Sequence, residues 1–180
     1  MPLVYLSPST QEFNQFINGG TEEEWMNIIA DEIEPYLTAS NIDFVRNTPD
    51  MTARSSIQAS NDAGVDLHVA IHSNSSPPSL AGQLQGTDIY YSPNGVNSRR
   101  FAEILQNNFE NIYPEPSRVN VLPTDYLGEV IKTNAPAVLI ETAYHDNPED
   151  ATWIKRNTQS IAREIARSIA EYFGVPFIEN

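Results

Sequence analysis

The run Ala137-Val138-Leu139-Ile140 contains no polar residue and stops at a carboxylate, Glu141. A strand with aliphatic side chains pointing both ways must be covered on both faces, which places it inside an α/β sheet. The rest of the chain agrees. Residues 3–6 read as a short buried strand that ends in the turn composition Ser7-Pro8-Ser9-Thr10. Residues 42–46, 66–73 and 87–91 read as further strands. Between them lie helical periods. Thr21 stands at capping-box spacing from Glu24, ahead of an apolar stripe through Trp25, Ile28, Ile29, Ile33, Tyr36 and Leu37. Pro35 is expected to kink or end that helix. A polar helix is expected over 51–63, closed by Gly64, and an amphipathic one over 98–112. Asn147-Pro148 opens a last helical stretch whose apolar residues continue to Gly174. Residues 113–134, with three prolines, read as irregular. The pattern predicts an α/β fold in a single domain over 1–180, with a mainly parallel (mixed) sheet flanked by helices on both faces.

Composition removes several classes of function. With no cysteine, the chain has no disulfide, no thiolate nucleophile and no cysteine-based metal site. The histidines are three: His68, His72 and His145. Against 10 basic residues stand 24 acidic ones, a formal charge of −14, which argues against a nucleic-acid partner. No apolar run approaches the roughly 20 residues that span a bilayer, so membrane insertion is not expected. The first residues lack the basic and apolar segments of a signal peptide.

In sheets of this class, ligands bind beyond the carboxyl ends of the strands. His72 and Glu141 both fall there. A carboxylate after four buried aliphatics is partly desolvated, which raises its pKa and suits it to proton transfer. A cap or an ion pair is the alternative role for Glu141, and a hydrogen-bonded core position the alternative for His72. His68 shares a strand face with His72 but lies about 13 Å away along the strand, too far to share an ion, and is read as structural under a covering helix. Glu22, Glu23 and Glu24 all suit the first turn of a helix electrostatically, and this reasoning does not choose among them.

Three segments resemble the zinc-dependent N-acetylmuramoyl-L-alanine amidases that cut peptidoglycan. They are Glu22-Glu23-Glu24-Trp25-Met26-Asn27-Ile28-Ile29-Ala30, His72-Ser73-Asn74, and the stretch from Ala137 through Glu141-Thr142 to Asn147-Pro148-Glu149-Asp150. Their order and separation match over nearly the whole chain. The resemblance implies one Zn2+ held by Glu23 and His72, with Glu141 as the catalytic base. The family's first zinc histidine follows the first strand. Here that loop reads Ser7-Pro8-Ser9-Thr10-Gln11-Glu12-Phe13-Asn14 and has none. Gln11 and Glu12 are local candidates to substitute, His145 is a more distant one in the loop just after Glu141, and the third ligand stays unassigned.

The resemblance implies hydrolysis of the amide between N-acetylmuramic acid and L-alanine by a monomer acting on the cell wall. Loops 73–85 and 113–134 are expected to hold glycan strand and stem peptide, with Tyr90, Tyr91, Tyr113 and Tyr126 available for stacking on sugars. No appended wall-binding repeats are expected. Release by lysis, non-classical export, or a chain trimmed of its leader fits the N-terminus. A catalytically inactive peptidoglycan-binding protein of the same fold is the main rival. A serine hydrolase is disfavoured by the lack of a Gly-x-Ser-x-Gly elbow. A purely structural partner module leaves His72 and Glu141 unexplained.

Overall fold

The computed structural model describes residues 1–179. Six strands form one sheet: β1 (Leu3–Pro8), β2 (Asp43–Arg46), β3 (Leu67–Asn74), β4 (Thr87–Tyr91), β5 (Val119–Pro123) and β6 (Ala137–Tyr144), in the order β2-β1-β3-β6-β4-β5. All neighbours are parallel except β4 and β6. The sheet is therefore mixed, and β6, with its unbroken apolar run, lies inside it as the sequence requires.

Strand alternation sorts side chains between two faces. Leu67, Val69 and Ile71 of β3 join Val138 and Ile140 of β6 in the main core. The helices α1 (Glu22–Ala39), α3 (Val96–Phe109) and α6 (Thr158–Phe173) cover that face, burying Met26, Ile29, Ile33, Phe101, Leu105, Ile161, Ile165 and Ile169. On the opposite face, Ala70 and Leu139 pack against Val130 in a smaller cluster. That face carries α2 (Ala53–Ala63) and the one-turn helix α4 (Gly128–Ile131). The helix α5 (Pro148–Arg156) follows β6.

Two expectations about helices are corrected. Pro35 neither kinks α1 to a stop nor ends it; the helix continues to Ala39. Pro35 and Asp31 are exposed, so the carbonyl that loses its intrahelical donor faces water. Buried Ile33, Tyr36 and Leu37 meanwhile hold the last turns on the core. The final apolar stripe is two helices. Asn157 breaks it by leaving helical geometry and donating from Nδ2 to the Trp153 carbonyl at 2.7 Å. Within 113–134, read as irregular, lie β5 and α4. Among the described residues no helix is long and apolar enough to cross a membrane.

Candidate functional site

The site sits where the carboxyl ends of the inner strands meet the N-terminus of α1. His72 and Glu141 share a rung of the parallel β3/β6 ladder, so their side chains leave the sheet on one face. The same rung continues to Asp88 on β4 and Asn120 on β5. Asp88 accepts hydrogen bonds from Asn120 (3.0 Å), Asn74 (3.3 Å) and the Tyr144 hydroxyl (3.4 Å).

Thr21 caps α1 by accepting from the Glu24 N–H at 3.1 Å, and this fixes the phase of the three acidic residues that follow. Glu22, buried, is the one that turns into the site. Its Oε1 lies 2.9 Å from His72 Nδ1 and accepts from the Ser73 N–H at 3.2 Å, while its Oε2 accepts from Asn14 Nδ2 at 2.6 Å. Of the three acids in this run, Glu22 rather than Glu23 is the one that stands against His72. One residue further is about 100° around the helix, and Glu23 is found with its backbone carbonyl bonded to Asn27 Nδ2 at 2.8 Å.

The other ring nitrogen of His72 meets a residue that the sequence did not reveal. Glu129 of α4 places Oε2 3.2 Å from His72 Nε2 and Oε1 3.2 Å from His68 Nε2. The Ser7 hydroxyl donates a short bond to the same Oε1. His68 Nδ1 in turn lies 3.0 Å from Ser60 Oγ of α2. His68 is accordingly a structural residue under a helix, as expected. Glu129 sits in a four-residue helix that is too short for a periodic pattern, so no sequence signal marked it.

Of the positions considered for the third ligand, Gln11 comes nearest, with its amide Nε2 3.5 Å from His72 Nδ1. Glu12 is exposed. His145 is engaged elsewhere: its Nδ1 lies 2.9 Å from Ser73 Oγ and its ring stacks on Phe16 at 5.6 Å. Tyr113 is also removed from the sugar-stacking set. It is buried edge-on against Trp153 and donates to Asp150 at 2.6 Å. Tyr126 is 72% exposed. A cavity of about 280 Å³ opens beside His72 and Glu129, between the loop after β1 and α2.

The charges are tuned by this packing. Burial drives the Glu141 pKa up to about 7, with Glu22 and Asp88 adding to the shift and His72 opposing it. One oxygen of Glu141 is buried with no hydrogen-bond partner. Burial alone would disfavour charge on His72, but its bonds to Glu129 and Glu22 outweigh this and hold its pKa well above that of an ordinary histidine. Burial likewise works against the Glu129 charge, and the two histidines override it, bringing Glu129 down to about 2.

The donors fit a divalent cation on the Nδ1 side of His72. Glu22 lies on that side, and Nε2 is backed by a carboxylate, the usual arrangement behind a metal-binding imidazole. Glu23, like Glu141, has one buried oxygen without a protein partner. Among the described residues no group of three His, Cys, Asp or Glu side chains is placed to hold a metal ion.

The family model described as N-acetylmuramoyl-L-alanine amidase matches residues 10–171. No curated protein matches. Among solved structures, the N-acetylmuramoyl-L-alanine amidase AmiC2 of Nostoc punctiforme superposes with a TM-score of 0.84 at 19% identity, covering 96% of this chain and 97% of that one. The catalytic domain of the amidase CwlV from Bacillus (Paenibacillus) polymyxa var. colistinus gives 0.84 at 21% identity, covering 98% and 100%. An N-acetylmuramoyl-L-alanine amidase from Clostridium difficile 630 gives 0.85 at 17% identity, covering 96% and 97%. At these identities the superpositions speak to the fold.

Proposed function

The chain belongs to the N-acetylmuramoyl-L-alanine amidase family, and from that premise we propose that it hydrolyses the amide between N-acetylmuramic acid and L-alanine in peptidoglycan, with Glu141 as the general base. The observation that carries this reading is the Glu141 carboxyl itself. It stands at the strand-end rim beside His72, has one oxygen without a protein partner, and has a pKa raised to about 7. A base poised near the working pH has the best compromise between being deprotonated and being strong enough to take a proton.

Glu141 accepts a proton from the attacking water and returns it to the departing alanine nitrogen. Glu22 and His72 are the residues that would hold a cation, and Zn2+ bound there would supply polarisation of the scissile carbonyl and acidification of water. Glu129 fixes the orientation of the His72 ring through Nε2. Asp88, held by Asn74, Asn120 and Tyr144, is the ladder partner of Glu141 on β4. Exposed Tyr126 is suited to stacking against a sugar face. We take the working unit to be a monomer.

The experiment is release of new N-terminal alanine from purified cell walls, by the wild type and by Glu141→Gln. Release by the wild type and none by the variant is expected. No release by either, under metal-replete conditions, would instead favour a peptidoglycan-binding protein of the same fold.

A further inference from the structure

Two protein donors do not complete a metal centre that normally takes three and leaves one position open. We infer that Gln11 supplies the third ligand through its amide oxygen, joining Glu22 and His72 Nδ1, while Glu129 braces the His72 ring from behind. The inference concerns the same cleft as the amidase reading and names the ligand set that this reading uses.

The argument is one of position. Gln11 and Glu22 approach the same nitrogen of His72, at 3.5 and 2.9 Å. The Asn14 amide bridges them, donating to Gln11 Oε1 at 3.0 Å and to Glu22 Oε2 at 2.6 Å. The loop that carries Gln11 is fixed at both ends: the Gln11 N–H donates to Ser9 Oγ at 3.2 Å, and the Asn14 N–H to the Gln11 carbonyl at 3.2 Å. Turning the Gln11 amide about its last torsion brings Oε1 to the face now occupied by Nε2. That turn gives up the bond from Asn14, which keeps its bond to Glu22. The rivals are excluded by geometry. Glu129 reaches the opposite ring nitrogen and cannot share the ion, and His145 is committed to Ser73 and Phe16.

This ligand set has a chemical consequence. A neutral amide oxygen is a harder and weaker donor than imidazole, so two oxygens and one nitrogen hold zinc less tightly and discriminate less against Mn2+. Gln11→His should reverse both properties.

The test is calorimetric titration of Zn2+, and separately Mn2+, into metal-stripped full-length protein, with circular dichroism confirming that each variant is folded. The wild type should bind one Zn2+ per chain. Gln11→Ala should lose at least about 10-fold in zinc affinity, and Gln11→His should gain at least about 10-fold while widening the Zn2+/Mn2+ ratio. Co2+ in place of zinc should show different visible bands in the wild type and Gln11→His. Zinc affinity unchanged in Gln11→Ala, or a wild type that binds no zinc, would overturn the inference. Failure of the amidase reading looks different: zinc binding follows the expected order, but no alanine is released from cell walls.

Discussion

His72 and Glu141 are direct neighbours on one rung of the β3/β6 ladder, so the sheet itself sets the separation of the imidazole from the carboxyl group. Two features of the sequence produce this pairing: the alternation along β3 that puts His72 on the smaller face, and the apolar run of β6 that delivers Glu141 to the same level. Because the two groups are held by backbone hydrogen bonds, their chemistry can be separated by substitution. Glu141→Gln should lower alanine release by about 100-fold or more, since the isosteric amide takes no proton. Its zinc affinity should stay near that of the wild type. His72→Ala should lose both. Loss of zinc binding in Glu141→Gln would contradict the division of roles.

The raised pKa of Glu141 makes two pH predictions with opposite signs. Activity needs the carboxylate, so the alanine-release rate should climb as Glu141 loses its proton; burial sets that at about 7 in the metal-free chain, and a cation held by Glu22 and His72 would draw it lower. Stability runs the other way. The folded state holds the Glu141 proton more tightly than the unfolded chain, whose ordinary carboxyl value is 4.5. The stabilising contribution is therefore complete below that value and is lost as pH rises towards 7. Melting curves of metal-free protein should show the wild type losing stability relative to Glu141→Gln across this window. Parallel curves would mean that the carboxyl is not perturbed in the fold.

The run Glu22-Glu23-Glu24 gives a sharp comparison between adjacent residues. Glu22→Gln should weaken zinc binding strongly, because it replaces the carboxylate that stands 2.9 Å from His72 Nδ1. Glu23→Gln should leave it within a few-fold of the wild type. Zinc titration of the two variants decides the assignment, and a larger loss in Glu23→Gln would reverse it.

That pair also marks where the sequence stopped being legible. The strands, the sheet class and the placement of His72 and Glu141 follow from patterns that repeat every two residues or run unbroken, and such patterns survive a small error in boundaries. The choice among three consecutive acids depends on the rotational phase of α1. Thr21, Asn14 and the Ser73 N–H set that phase, and Ser73 is distant in sequence. Glu129 was less accessible still. Its importance comes only from long-range contacts to His68 and His72, and α4 offers no period to read. Pro35 is a local case: an interior proline removes the donor to the Asp31 carbonyl, and the exposure of Asp31 lets water replace it, which the sequence pattern does not show.

Glu129 should repay mutation for the same reason that it was hidden. In the proposed site it would act on the cation through His72, as a positioning residue, and loss of such a carboxylate typically costs about 10–100-fold in metal affinity. Glu129→Gln should show a drop of about that size in zinc titration while retaining the fold, because the amide can still accept from one histidine. Glu129→Leu leaves two buried imidazoles without their acceptor and should also melt at lower temperature. Unchanged zinc affinity in Glu129→Gln would reduce the residue to a structural role.

Tyr126 tests the substrate side of the cleft without touching the cation. At 72% exposure it buries little of its ring and contributes little to folding, so Tyr126→Ala should change stability by no more than about 0.5 kcal/mol. Burial, Asp88 and then Tyr126 push the Tyr90 hydroxyl up to about 12. If the Tyr126 ring stacks on glycan, Tyr126→Ala should weaken binding to purified cell walls several-fold, and Tyr126→Phe should restore most of it because the ring face is kept. Sedimentation of the protein with insoluble walls measures this directly. Wall binding that is unchanged in Tyr126→Ala, or lost equally in Tyr126→Phe, would show that the ring face contributes nothing and would move the sugar contacts elsewhere in the cleft.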